Sequence, residues 1–468
     1  MSDTKELLQR ARRQFSPPED VMGSLIRRRE RKQRNRRLGT AALALVLAAA
    51  AIGALVRAFP RVDSARPADL PDTPGAWSRI RFGPPGSFGQ LGISAITPWG
   101  SGLVAVGFDD GPAVWTSPDG RGWSRVPADL GVFGEVMSDV TPGGPGLVAV
   151  GHRVAPTPGD TPPLVWTSAD AITWNRAPPD PVFRTADLSS VIAGGPGLVA
   201  VGSTPNGPRA WFSTDGMHWQ RAEVPPVPAN AARGESELRD VAVAGGRLVA
   251  TGSLELQSGT DALRTEMILW TSTDGMTWTE VALDPEVFAP LSEIRSLASS
   301  PEGLVAVGWH TEVVEVPGGD HAVTEPAAWA SPDGLRWHRA PADQEAFVSR
   351  YRADAPASPQ PPDGRTGFSA EGGLVSVAAG SGGYVAVGGD GAASDSGCCP
   401  AAEAAVWTSI DGVSWVRVPT GPVFQISPEE MARDRGVRAW VVVAWGSRFI
   451  AAGQYGDDFA IWISEPAP

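Results

Sequence analysis

"VWTSPDGRGW", residues 114–123, sets a Trp near its start, an Asp-Gly pair in its middle and a second Trp at its end. The phrase returns as VWTSADAITW (165–174), AWFSTDGMHW (210–219), LWTSTDGMTW (269–278), AWASPDGLRW (328–337) and VWTSIDGVSW (406–415). The two Trp are eight residues apart in every copy. Upstream of each copy lies a second phrase: GLVAVG at Gly102, Gly146, Gly197 and Gly303, RLVATG at Arg247 and YVAVG at Tyr384. Self-similarity of this kind calls for a repeat architecture before any other fold.

Each repeat reads as four short strands. A first strand such as 93–97 leads into GLVAVG, the VWTS segment is the third strand, and the fourth begins at the second Trp. The apolar runs do not alternate with polar residues, as expected of sheets covered on both faces. The Asp-Gly pair makes the hairpin between third and fourth strands, because Asp bonds nearby amides and Gly accepts positive φ. This gives Asp119, Asp170, Asp215, Asp274, Asp333 and Asp411 a structural role. Each Trp is expected to bury a large apolar area between neighbouring sheets. Six copies do not close a ring, but the chain ends supply a seventh. SRFIAAG (447–453) and FAIWISEPAP (459–468) provide a second and a third strand, and AWSRIRF (76–82) provides the fourth. The fold expected is all-β, a seven-bladed β-propeller over 76–468, closed by pairing the two ends so that no edge is left open.

The turn residues Ser117, Asp119, Gly120 and Trp123, with their counterparts, resemble the Asp-box (BNR) turns of sialidase-like propellers, which also join third and fourth strands. The resemblance covers 76–468 and departs in two details. The usual box has one more residue between Asp and Gly, and Ala171 replaces Gly in the second copy. It implies a fold and no activity, since the box in that family is structural. A sialidase would also need a Tyr nucleophile paired with Glu and an acid Asp, and the chain has only Tyr351, Tyr384 and Tyr455 to offer.

Charge divides the chain. Residues 1–37 hold 12 Lys/Arg against 5 Asp/Glu, whereas the whole chain carries −13, so the body is strongly acidic. An acidic body excludes nucleic acid as partner. Residues 38–56, LGTAALALVLAAAAIGALV, form an uncharged run of 19, enough at about 1.5 Å per residue to cross a hydrocarbon core of about 30 Å. Eight Lys/Arg in 27–37 precede it and only Arg57 and Arg61 follow closely. The positive-inside rule then puts the head in the cytoplasm and everything after the run, through a linker at 57–75, outside. In the head, SPPE at 16–19 is a capping box, and Leu7, Leu8, Ala11 and Phe15 recur at helical spacing. A short helical head bound to membrane lipid is expected, with docking of a cytosolic protein as the alternative. In outline the head resembles those of actinobacterial membrane proteins that work with sigma factors, without a motif that carries more.

Insertions fall between second and third strands, where 7, 14, 8, 17, 20, 18 and 8 residues separate the Gly from the Trp, while box spacing never changes. One face should therefore carry variable loops on a rigid scaffold, pointing away from the membrane. Over blades five and six these loops hold Trp309, His310, His321, Arg350, Tyr351 and Arg352, a cluster suited to a peptide, glycan or protein. LRDV (238–241), IRSL (294–297) and VRAW (437–440) set Arg239, Arg295 and Arg438 where first strands begin. Three guanidiniums there would grip a carboxylate, unless Glu237, Asp240 and Glu293 neutralise them. Cys398 and Cys399 are adjacent; an oxidising exterior permits a disulfide between them, with free thiols or an intermolecular bond as alternatives. No metal site and no cofactor is expected. The main functional expectation is a membrane-anchored, non-catalytic extracytoplasmic module that binds a ligand or protein; the alternatives are a tethered sialidase-like glycoside hydrolase and a passive envelope scaffold.

Overall fold

The computed structural model describes residues 77–465 apart from 85, 87–90, 155–163, 179, 233–235, 259–261, 290, 317–318, 342–344, 348–372, 391–402, 420 and 426–435. The basic head, the apolar run 38–56 and the linker lie outside these residues. Among the described residues no helix is long and apolar enough to cross a membrane.

Seven four-stranded antiparallel sheets follow one another, each in the order first, second, third, fourth strand. The seventh takes its fourth strand from the other end of the chain: Trp77–Phe82 pairs with Asp458–Ser464, from Trp77 opposite Ser464 to Phe82 opposite Phe459. The first strands are Leu91–Trp99, Glu135–Gly143, Asp187–Gly194, Glu237–Ala244, Ser292–Ser300, Leu374–Gly380 and Val437–Trp445. Each touches the next, and the last touches the first, so the ring closes around a central axis. The architecture is the expected seven-bladed propeller, numbered here from the blade that begins at Leu91.

The six turns, five Asp-Gly and one Asp-Ala, share one hydrogen-bond scheme. Asp119 Oδ1 accepts from the N–H groups of Arg121 and Gly122, both at 2.8 Å, and the other five Asp accept from the corresponding pair. These donors hold Asp119, Asp170 and Asp274 below the usual carboxylate range. Ser117 Oγ accepts from Gly120 N–H at 2.9 Å, and the Trp123 indole donates to the Gly120 carbonyl at 2.9 Å. The Ser of the phrase is therefore as structural as the Asp. Ala171 holds φ 65°, the conformation its Gly counterparts adopt.

The final Gly of GLVAVG has a separate reason. Each first strand carries a β-bulge opposite it, as between Ile93 and Ala95, where Ser94 is left over. A Cβ on Gly107 would lie 1.9 Å from the Gly92 carbonyl oxygen, and the same Gly in the other six blades meets first-strand backbone as closely. Only Gly lets the bulged strand approach.

A third repeated phrase joins the blades. DPVF (180–183), DPEVF (284–288) and GPVF (421–424) follow fourth strands, and their Phe packs on both Trp of the next blade. Phe183 lies 5.8 Å from Trp211 and 5.9 Å from Trp219; Phe288 lies 5.7 Å from Trp329 and 6.1 Å from Trp337; Phe424 lies 5.4 Å from Trp462 and 5.5 Å from Trp77. The carbonyl just before each Phe accepts from the third-strand indole, at 3.1, 3.0 and 2.9 Å respectively. Burying five indoles below 2 % exposure is possible because each finds such a partner.

Two insertions depart from expectation. They are long hairpins rather than loops: Arg247–Ser258 with Ala262–Ser272 on blade 4, and Gly303–Val316 with Gly319–Ser331 on blade 5. Second and third strands simply continue past the sheet. On blade 4 the extension is braced by the preceding link, where Ala232 N–H donates to Glu255 O at 2.6 Å and Leu254 and Leu256 are buried with Val224 and Val227.

Candidate active site

The bulges decide which side chains reach the mouth of the channel. A bulge re-aims one residue per first strand, and by register these are Ser94, Ser138, Ser189, Arg239, Arg295, Val375 and Trp440. All seven are half-buried, each preceded by a buried residue. Arg239 and Arg295 thus occupy equivalent positions, as expected. Arg438 does not: it pairs with Gln454, two residues ahead of the bulged Trp440, in the position held by Glu237 and Glu293. The expected trio is a pair, and Trp440 takes the third place.

The two guanidiniums are already engaged. Glu237 Oε1 lies 3.0 Å from Arg239, Glu293 Oε1 lies 3.2 Å from Arg239 and 2.9 Å from Arg295, and all four side chains are between 18 % and 34 % exposed. The result is an alternating ladder, Glu237, Arg239, Glu293, Arg295, across blades 4 and 5. Arg239 Nε is enclosed without a hydrogen-bond partner, and burial followed by the Arg295 charge lowers the Arg239 pKa. Arg295 stands 5.1 Å above the Trp309 ring, and Trp309 is buried, backed by Gly373, where a Cβ would come within 2.8 Å of the indole.

Of the other expected residues, His310 sits opposite Ser292 with Nδ1 3.4 Å from the hydroxyl. His321 lies on the returning arm of the blade 5 hairpin, opposite Val314. Arg350, Tyr351, Arg352, Cys398 and Cys399 fall outside the described residues.

The residue after each bulge forms a second, inner tier. Asp139 Oδ2 on blade 2 accepts from Val191 N–H on blade 3 at 2.8 Å, and Asp240 Oδ2 on blade 4 accepts from Leu297 N–H on blade 5 at 2.7 Å. Ser296 and Ser376 make the same bolt to blades 6 and 7, at 3.4 and 3.1 Å. A Ser therefore suffices for the bolt, and the two Asp bring something more. Between them stands Ser190 of blade 3, its buried Oγ 2.9 Å from Asp139 and 3.1 Å from Asp240. One hydroxyl carries one proton, so the two carboxyls share it or one of them carries a proton of its own. Burial pushes Asp240 up to about 6, with the Asp139 charge adding to the rise, and burial raises Asp139 as well. The trio Asp139, Ser190, Asp240 is thus a pair of buried carboxyls, both raised in pKa, linked through one hydroxyl. Sequence reasoning passed over it, treating Asp240 only as a neutraliser. The signal was present in the frame apolar-x-[Asp/Ser]-apolar: MSDV, LSSV, LRDV, IRSL and LVSV.

No protein-family model matches the chain, and no curated protein matches it. Solved structures similar to it include an α-L-arabinanase of Penicillium chrysogenum bound to arabinobiose (14 % identity, 70 % of this chain and 91 % of that chain, TM-score 0.36). They also include an α-L-arabinofuranosidase of Fusarium graminearum bound to an iminosugar inhibitor (12 % identity, 83 % and 97 %, TM-score 0.40). A third belongs to glycoside hydrolase family 130, which contains hydrolases that target β-1,2 mannosidic linkages in Candida mannan (13 % identity, 85 % and 96 %, TM-score 0.31). At these identities and scores the likeness concerns the fold. The neighbours are nonetheless glycoside hydrolases, contrary to the non-catalytic binding module expected from the sequence, and that expectation is withdrawn.

Proposed function

We propose that the protein is a glycoside hydrolase of propeller type, with its site at the channel mouth over blades 2 to 5. The observation that carries this is the Asp139, Ser190, Asp240 trio. Glycoside cleavage needs one carboxyl that keeps its proton and a second that is ionised. Asp240, with its pKa near 6, is the general acid; Asp139 is the partner carboxylate. In a retaining scheme the second carboxylate acts as the nucleophile. In such a scheme Asp240 protonates the departing oxygen as the C–O bond breaks, and Asp139 bonds the anomeric carbon. Water then displaces Asp139 while Asp240 takes the proton of that water. The names of the similar structures agree with this reading, and the broken Arg trio speaks against its sialidase form.

The Asp-box resemblance, the membrane anchor and the lipid or cytosolic partner of the basic head belong to the same proposal. Six shared turn schemes support the first. The uncharged run 38–56 behind eight Lys/Arg supports a single pass with the propeller outside. The test is glycan turnover by the full chain in detergent, beside Asp240→Asn. Loss of turnover by about 100-fold or more is expected, with wild-type activity falling as pH rises through about 6. Wild-type turnover of no glycan, or an Asp240→Asn protein as active as wild type, would remove the assignment.

A further inference from the structure

The ladder and the bulge ring also specify the kind of sugar, and this inference rests on the glycosidase reading above. We infer that the site takes a neutral glycan bearing a vicinal diol and discriminates against anionic sugars such as uronates, sialosides and sulfated chains. Glu237, Arg239, Glu293 and Arg295 alternate acceptor and donor at 3.0, 3.2 and 2.9 Å, so the guanidiniums bring no uncompensated positive charge to the mouth. A carboxylate ligand would have to compete with Glu293 for both Arg while facing Glu237. Asp139 and Asp240 follow the bulges of blades 2 and 4, and at the position of Glu237 and Glu293 blade 3 has Asp187 and blade 7 has Arg438. The ladder's charges cancel, so an anion finds no uncompensated positive charge to offset its desolvation, a cost that a neutral hydroxyl does not incur.

A vicinal diol meets the same groups on favourable terms. Each hydroxyl donates one hydrogen bond and accepts another, so adjacent hydroxyls can lie along the ladder, each giving a proton to a Glu and taking one from an Arg. The bulge positions of blades 1 to 3 add the hydroxyls of Ser94, Ser138 and Ser189, and charge is absent from that arc of the bulge ring. Bonds from ionised groups to neutral hydroxyls are strong and depend little on salt, unlike ion pairing between protein and ligand.

The experiment measures binding to the full-length Asp240→Asn protein in detergent by calorimetry. The probes are arabinopentaose, mannopentaose and xylopentaose against trigalacturonate and sialyllactose, at low and high salt. At least one neutral probe is expected to bind about tenfold or more tighter than either acidic probe, with an affinity unchanged by salt. Glu293→Gln, which keeps the side-chain shape, is expected to weaken that binding about tenfold or more while circular dichroism stays that of the parent. Tighter, salt-sensitive binding of an acidic probe overturns the ligand class, and wild-type turnover of that probe would leave the hydrolase reading standing. Neutral binding with no turnover by the wild type has the opposite meaning: the ligand class survives and the hydrolase reading fails. A folded protein that binds none of the five overturns the inference.

Discussion

Ala171 and Asp240 show how differently one residue can be constrained. Ala171 sits at φ 65° where five equivalent turns have Gly, and a non-Gly residue in that region costs about 1 kcal/mol. Ala171→Gly should therefore raise stability by about 0.5–1 kcal/mol in urea unfolding, the relief of strain exceeding the added chain entropy. The reverse change at Gly412 is expected to cost more than about 2 kcal/mol, since a Cβ there would lie 2.3 Å from Val305 Cγ2 on the neighbouring blade. Asp240 is held at a pKa of about 6, above the 3.8 of a free Asp. A raised pKa means the folded state binds the proton more tightly, so the stabilising contribution is full below about pH 4 and lost as pH rises through about 6. Asp240→Asn removes the buried charge but sets its amide nitrogen against one of two backbone donors, Val241 N–H or Leu297 N–H, so turnover should be lost while the melting temperature at pH 7.5 falls modestly. Turnover equal to that of wild type would mark Asp240 as structural alone.

The link segments and the bulged strands carry more of the architecture than their length suggests. Phe183, Phe288 and Phe424 each touch both Trp of the following blade. Phe424→Ala should cost about 3–5 kcal/mol in chemical denaturation, the range for emptying a packed aromatic site. Phe133 follows a fourth strand too but is 85 % exposed, and Phe133→Ala should stay within about 0.5 kcal/mol of wild type in the same assay. The link phrase is visible in the sequence but hard to read there, because its spacing from the box varies. The bulge is legible as well, in the Gly that ends GLVAVG. Blades aligned by that Gly place Arg438 two residues short of the bulged position, whereas blades aligned by their Arg misplace it.

Closure joins the seven blades into one cooperative ring. Trp77–Phe82 completes blade 7 and covers the Asp458–Ser464 strand, while Trp77 and Phe82 also supply ring contacts to Phe424 and Trp115 at 5.5 and 5.3 Å. Deleting 77–82 should lower the melting temperature and produce concentration-dependent aggregates in size-exclusion chromatography, because it uncovers a full strand edge and opens the ring. A variant that remains monomeric with an unchanged melting temperature would show that closure does not govern stability.

The number of blades, their strand order, the turns and the closing strand are all legible in the chain. Those features are local or periodic: an Asp-Gly hairpin, an apolar run and a missing fourth strand are each readable within a few residues and recur from blade to blade. The site came from the folded ring alone. Asp139 and Asp240 lie about two blades apart in the chain and meet through Ser190 of the blade between them. Their raised pKa comes from burial at the ring's inner wall, which no window of sequence contains. The same holds for the ladder, where Glu293 reaches an Arg of another blade as well as its own. Charges that in the sequence await a ligand are brought together by the ring and neutralise one another.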